Sequence, residues 1–89
     1  MREIIIDCSG IRERDQLHDT FALTLSFPEY YGRNLDALHD CLTALEVETC
    51  LELKDWLAAE AALGRYGIGA RRAISHAAAT NPLLTVIWG

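Results

Sequence analysis

Long apolar runs are absent from this 89-residue sequence. None approaches the ~20 consecutive apolar residues that a helix needs to cross a bilayer. The opening run Ile4–Ile6 is short and lies between two acids, Glu3 and Asp7, which is not typical of a secretory signal. We therefore expect a cytoplasmic protein that does not bind membranes.

Cysteine is scarce and odd in number, with only Cys8, Cys41 and Cys50. Three cysteines without close spacing are not typical of a disulfide framework, so we expect reduced, mostly buried thiols. The sequence also lacks metal-ligand spacing, a glycine-rich phosphate loop and the strained serine turn of hydrolases. It therefore predicts no metal site, no cofactor and no catalytic residue.

Acidic residues are missing from the last third of the chain. Residues 61–89 hold three arginines and no acid, whereas residues 28–60 hold eight acids and two bases, a local charge of −6. Such a negative region repels nucleic acid phosphates and favours a basic protein partner. We expect the three arginines, Arg65, Arg71 and Arg72, to form a solvated helix face rather than a nucleic-acid patch.

The composition is that of one small globular domain over residues 1–89, with 51% apolar and 24% charged residues. Three apolar segments predict strands, at residues 2–7, 49–53 and 83–88. The consecutive β-branched residues Ile4, Ile5 and Ile6 indicate a first strand buried on both faces. Because helical segments separate the strands, we expect an α/β fold with a small three-stranded parallel sheet, whose strand order stays open.

Helical patterns fill the intervals between these strands. They predict a helix at residues 13–25, a second one after the N-cap Asn34, a third at 54–63 closed by Gly64, and a fourth at 70–79 ended by Asn81-Pro82. We expect Trp56 and Leu57 to face inward and Gly67 and Gly69 to form a turn. In the loop at residues 28–33, Gly32 is free to adopt a positive φ.

The second helix separates into two faces. Its apolar stripe consists of Leu35, Leu38, Leu42 and Leu45, and its polar face of Asp36, His39, Asp40 and Thr43. Asp36 and Asp40 lie one turn apart, so both carboxylates point to the same side and could pair with arginines. Of the two tyrosines before the helix, Tyr30 and Tyr31, we expect one to pack inward.

The stretch Pro28 to Thr43, PEYYGRNLDALHDCLT, resembles the barstar family, intracellular inhibitors of secreted bacterial ribonucleases. The opening strand, Leu17-His18 and the closing strand also fit, whereas residues 44–82 match loosely. The resemblance implies a three-stranded parallel sheet with four helices. It further implies that the second helix and the loop before it enter the nuclease's active-site groove, with Asp40 where the substrate phosphate would bind.

The resemblance also implies which residues lie in or beside the contact surface. Arg33 and His39 depart from the best-known member, which has a tryptophan at the position of His39, and His76 aligns with an acidic contact residue there. The candidate partner-binding residues are Tyr30, Tyr31, Gly32, Asn34, Leu35, Asp36, His39, Asp40, Thr43 and His76.

We therefore expect an inhibitor of a basic, barnase-type ribonuclease that is monomeric when free. One alternative, which His39 and His76 keep open, is a barstar-like module for a different basic protein without a nuclease. If either histidine meets a basic partner, we expect binding to weaken as pH falls through about 6.5. A second alternative is an enzyme that uses Asp36, His39 and Asp40, although no nucleophile or oriented partner set accompanies them.

Overall fold

Three parallel strands form one sheet in the order β1-β2-β3 in the computed structural model, which describes residues 1–89. β1 is Arg2–Asp7, β2 is Thr49–Lys54 and β3 is Leu84–Trp88. The register aligns Ile4 with Leu51, and Leu51 with Val86. The predicted α/β fold with a three-stranded parallel sheet and four helices is confirmed.

Two helices connect each pair of consecutive strands. α1 (Arg14–Leu25) and α2 (Leu35–Thr43) lie between β1 and β2, and α3 (Trp56–Leu63) and α4 (Arg65–Thr80) lie between β2 and β3. α2 packs against α4, and α3 packs against α4. None of the four helices is both long enough and apolar enough to cross a membrane.

The helices cover only one face of the sheet. Both crossovers step in the same direction across the sheet, and right-handed crossovers then place their helices on the same side. Side chains alternate accordingly along β2, where Leu51 and Leu53 are fully buried and Glu52 between them is partly exposed. The prediction that β1 is buried on both faces is wrong, because Ile5 points to the uncovered face and is 63% exposed.

The core lies between the sheet and the helices. It includes Leu38 and Leu42, both fully buried, which confirms the apolar stripe predicted for α2. The largest other fully buried apolar side chains are Phe21, Leu17, Leu51, Leu53, Trp56 and Ile74. The three cysteines are unpaired, and burial raises the pKa of the Cys8 thiol to about 11.

Two expectations about the second half of the chain are wrong. Leu57 is 73% exposed, so only Trp56 of that pair faces inward. Gly67 and Gly69 lie inside α4, which starts at Arg65, and the turn between α3 and α4 consists of Gly64 with φ of 62°. Gly67 permits a close approach between helices, because a Cβ there would lie 2.6 Å from the main-chain oxygen of Glu60.

Candidate protein-binding site on helix α2

The start of α2 is fixed by its cap. The side-chain oxygen of Asn34 accepts a hydrogen bond from the Ala37 amide at 2.8 Å, and its amide nitrogen donates to the Gly32 carbonyl at 3.2 Å. Asn34 is therefore the N-cap that the sequence predicts. It joins the approach loop, residues 26–33, to the first turn of the helix.

The end of α2 is fixed by a contact that the sequence did not reveal. The side-chain amide of Asn81, at the end of α4, donates to the carbonyls of Leu42 at 3.0 Å and Leu45 at 3.1 Å. Leu42 belongs to the last turn of α2, where carbonyls lack regular intrahelical partners, and Leu45 lies just beyond the end of the helix. Both ends of α2 are thus held by side-chain hydrogen bonds, which makes the helix a rigid support.

The polar face of α2 presents its acids to solvent. Asp36 is exposed, and the side chain of Asp40 is 83% exposed with no lysine or arginine nitrogen within 4 Å; Nδ1 of His39 lies 3.7 Å from its carboxylate. The Thr43 hydroxyl is used within the helix, because it donates to the carbonyls of His39 and Asp40. Two carboxylates one turn apart are therefore available to a partner.

The two tyrosines of the approach loop have opposite positions. Tyr30 is 88% exposed, whereas Tyr31 is 8% exposed, which confirms that one of the pair packs inward. The Tyr31 ring lies 4.9 Å from the Phe27 ring, and its hydroxyl contacts Nδ1 of His18 at 2.6 Å. Tyr31 supports the loop from its buried side and exposes little surface to a partner.

A shallow groove of about 360 Å³ separates the approach loop from α2. Tyr30 and Asp40 lie on its two walls, and they also line an adjoining groove together with Gly32. The lining is mostly apolar and consists of Leu25, Ser26, Phe27, Pro28, Tyr30, Asp40, Cys41, Ala44 and Leu45. The site thus places an exposed aromatic ring, an apolar depression and a carboxylate side by side.

A buried histidine holds the approach loop against two helices. His18 on α1 is 1% exposed, and its two ring nitrogens contact the hydroxyls of Tyr31 and Tyr66, each at 2.6 Å. Burial lowers the pKa of His18 and raises the pKa values of both tyrosines, so all three are neutral at neutral pH. A neutral imidazole donates through one nitrogen and accepts through the other, which satisfies both hydroxyls.

Arg33, and not Gly32, adopts the left-handed backbone conformation in the loop, with φ of 54°. This conformation costs a non-glycine residue about 1–2 kcal/mol. The guanidinium offsets part of that cost, because it donates to the Asp19 carboxylate at 2.5 Å and to the Asp15 carbonyl at 3.3 Å. The loop's only cation is therefore already paired with α1.

The remaining candidate residues lie at the contact between α2 and α4. Nε2 of His39 lies 2.7 Å from Nδ1 of His76. Leu35 is half-buried against α4, where a Cβ on Gly69 would come within 2.9 Å of its Cδ1. The fold thus joins His76, which is distant in sequence, to the polar face of α2.

Three residues with a role in building the site were not predicted from the sequence as such. His18 and Tyr66 support the approach loop, and Asn81 holds the end of α2. His18 lies beside the apolar stripe of α1, which is the only local sign of its burial. Their partners are 13 to 48 residues away, so the contacts become visible only in the fold.

Comparisons with known proteins agree with these observations. Residues 1–81 match the family model described as "Barstar (barnase inhibitor)". The chain is also 46% identical over 67 residues to a Bacillus subtilis (strain 168) protein named "Putative ribonuclease inhibitor YrdF". The alignment covers 74% of each of the two chains.

Proposed function

The chain belongs to the barstar family, and from this premise we propose that it inhibits a basic, barnase-type ribonuclease by covering the enzyme's active-site groove with α2 and the approach loop. Proteins of this family are inhibitors and not enzymes, so the chain is not an enzyme. The alternative of catalysis by Asp36, His39 and Asp40 is therefore set aside. We further propose that the inhibitor is monomeric when free and acts in the cytoplasm.

The exposed carboxylates of Asp36 and Asp40 carry the proposal. A ribonuclease groove is basic because it binds a polyanion, and acids fixed on a helix can occupy the positions of phosphates. Carboxylates also form bidentate hydrogen bonds with arginine, which gives direction as well as attraction. Since Asn34 and Asn81 hold the two ends of α2, little ordering of the helix is needed on binding.

Tyr30 supplies the apolar part of the proposed contact. Its ring is 88% exposed and borders the same groove as Asp40, so one partner could bury both side chains together. Tyrosine suits such a position because it combines a large apolar ring with a hydroxyl. We assign the contact to Tyr30, Gly32, Asn34, Leu35, Asp36, His39, Asp40, Thr43 and His76, with Tyr31 as support for the loop.

The contact between His39 and His76 favours a second candidate function. Imidazoles in the middle of an acidic surface are poor partners for a basic groove when they are protonated. The acids of the same surface could then bind a basic protein other than a nuclease, one whose cations lie away from the two imidazoles. Capture of such a protein, without inhibition of any basic ribonuclease, would support this candidate.

The proposal is tested by titrating barnase with the purified chain and measuring RNA cleavage. We expect inhibition that saturates at one chain per nuclease. Asp40→Ala should raise the dissociation constant at least about 100-fold, because it leaves cations of the groove buried without a partner, at a cost of about 3 kcal/mol.

Glu3→Ala is the matched control, because Glu3 is an exposed acid of β1 outside the proposed contact. It removes the same charge, and we expect it to change the dissociation constant less than about threefold. Equal losses in the two variants would mean that only net charge matters, and the assigned surface would be wrong.

A further inference from the structure

His39 on α2 and His76 on α4 form one unit, called here the histidine pair. Nε2 of His39 and Nδ1 of His76 are 2.7 Å apart, and the ring centroids are 4.9 Å apart. The residues are 37 positions apart in sequence, and the contact is at the surface of the molecule. The pair lies directly beside Asp40, the acid whose removal we expect to weaken the binding of the nuclease at least about 100-fold.

The number of protons on the pair decides whether the contact persists. Two neutral imidazoles carry two ring protons in total, and a pair with one protonated ring carries three; in both states one facing nitrogen can donate while the other accepts. When both rings are fully protonated, both facing nitrogens carry a proton and neither can accept. The hydrogen bond is then lost, and two like charges face each other at short range.

Charged groups on both helices surround the pair. On α2, the Asp40 carboxylate lies 3.7 Å from Nδ1 of His39, and Asp36 lies one turn earlier on the same helix. On α4, Arg72 precedes His76 by one turn. The surroundings of the pair thus combine two acids on α2 with one arginine on α4.

We infer that the histidine pair makes the inhibitory surface sensitive to pH. The surface binds a basic nuclease tightly when at most one of the two rings is protonated, and weakly when both are. The inference rests on the proposed function and adds its regulation by pH. A cationic groove placed over the pair favours release of protons from the imidazoles. By linkage, the affinity must then decrease as pH falls through the range in which histidine titrates.

The first test follows the imidazoles of the free chain by NMR between about pH 5 and 8. We expect His39 and His76 to titrate as a coupled pair, with two separated steps that both rings report. In His39→Gln and in His76→Gln, the remaining imidazole should show a single step. If each imidazole titrates in a single step in the wild type, and its curve is unchanged when the other histidine is replaced, the inference is overturned whether or not any nuclease binds.

The second test measures the dissociation constant for barnase at about pH 7.5 and pH 5.5, on either side of the ordinary histidine range. Releasing one proton costs about tenfold in affinity for each pH unit below the titration range. The wild-type constant should therefore rise at least about tenfold more than that of the double variant His39→Gln/His76→Gln, which keeps neutral polar side chains.

The double variant also corrects for titration of the nuclease itself, because the enzyme is the same in both series. Circular dichroism and the melting temperature at each pH verify that both chains are folded. If the dissociation constant rises by the same factor between about pH 7.5 and 5.5 in the wild type and in the double variant, the inference is overturned. If barnase does not bind at either pH, the proposed function fails together with its pH regulation, and NMR still decides whether the two rings are coupled.

Discussion

Tyr30 and Tyr31 are adjacent and chemically identical, yet one is 88% and the other 8% exposed. The difference is set by His18, which offers a buried hydrogen-bond partner to Tyr31 and none to Tyr30. The residue pattern predicted that one ring packs inward but left open which one, since the choice depends on His18 of α1. Asn34, in contrast, was predicted as an N-cap because its partner, the Ala37 amide, is only three residues away.

At the residue scale, we predict that His18 makes stability depend on pH. Burial lowers the pKa of His18 below the ordinary value of about 6.5 that it regains in the unfolded chain. Between these two values the unfolded state binds more protons, so stability is lost as pH falls from about 6.5 towards the lower, folded-state pKa. The slope for one group is at most about 1.4 kcal/mol per pH unit.

Urea unfolding at a series of pH values measures this effect. His18→Gln should be less stable than the wild type at neutral pH, but its stability should decrease less steeply below about pH 6.5. The double variant His39→Gln/His76→Gln leaves the buried network intact, so adding His18→Gln to it should again make the pH dependence less steep. Equal slopes in the wild type and His18→Gln would show that the buried imidazole is not the responsible group.

At the scale of helices and strands, local patterns predicted the elements better than their contacts. The stripe of Leu38 and Leu42 correctly indicated which side of α2 is buried, because a helix has a fixed period. Gly67 was misinterpreted as part of a turn, since glycine serves both turns and close helix packing. Only the position of Glu60 on α3 distinguishes the two uses.

We predict that Gly67→Ala destabilises the protein, although alanine favours helices by about 1 kcal/mol over glycine. The new Cβ would meet three main-chain atoms of Glu60 at 2.6–3.1 Å, and backbone cannot move aside as a flexible side chain can. Overpacking of this kind costs about 1–3 kcal/mol, so thermal unfolding should show a lower melting temperature.

Gly10→Ala is the control for this prediction. A Cβ at Gly10 would have no other atom within 4 Å, so its effect should stay within about 0.5 kcal/mol. A Gly67→Ala variant more stable than the wild type would show that α3 and α4 can separate at little cost.

At the scale of the whole molecule, charge and topology divide the surface into distinct regions. The acids of residues 28–60 include those on the polar face of α2, whereas residues 61–89 carry only basic charges. This asymmetry was readable from the sequence, because it requires only the order of the residues. The uncovered face of the sheet could not be predicted from the sequence, because it follows from the strand order β1-β2-β3, which local patterns do not encode.

The charge asymmetry predicts that association with a basic nuclease is steered electrostatically. Stopped-flow measurements with barnase should show an association rate that falls at least about tenfold when salt is raised from about 0.01 M to 1 M. The dissociation rate should change much less, since close pairs within an interface are screened less than distant charges. An association rate that is independent of salt would contradict steering by the acidic region.

Whether α2 and the approach loop are the surface that meets the nuclease is tested most directly by NMR of the labelled chain with and without barnase. The largest chemical-shift changes should fall on Tyr30, on the residues from Asp36 to Thr43 and on His76. The uncovered sheet face, represented by Ile5 and Glu52, should change little. Changes concentrated on that face, with α2 unaffected, would contradict the proposed mode of inhibition.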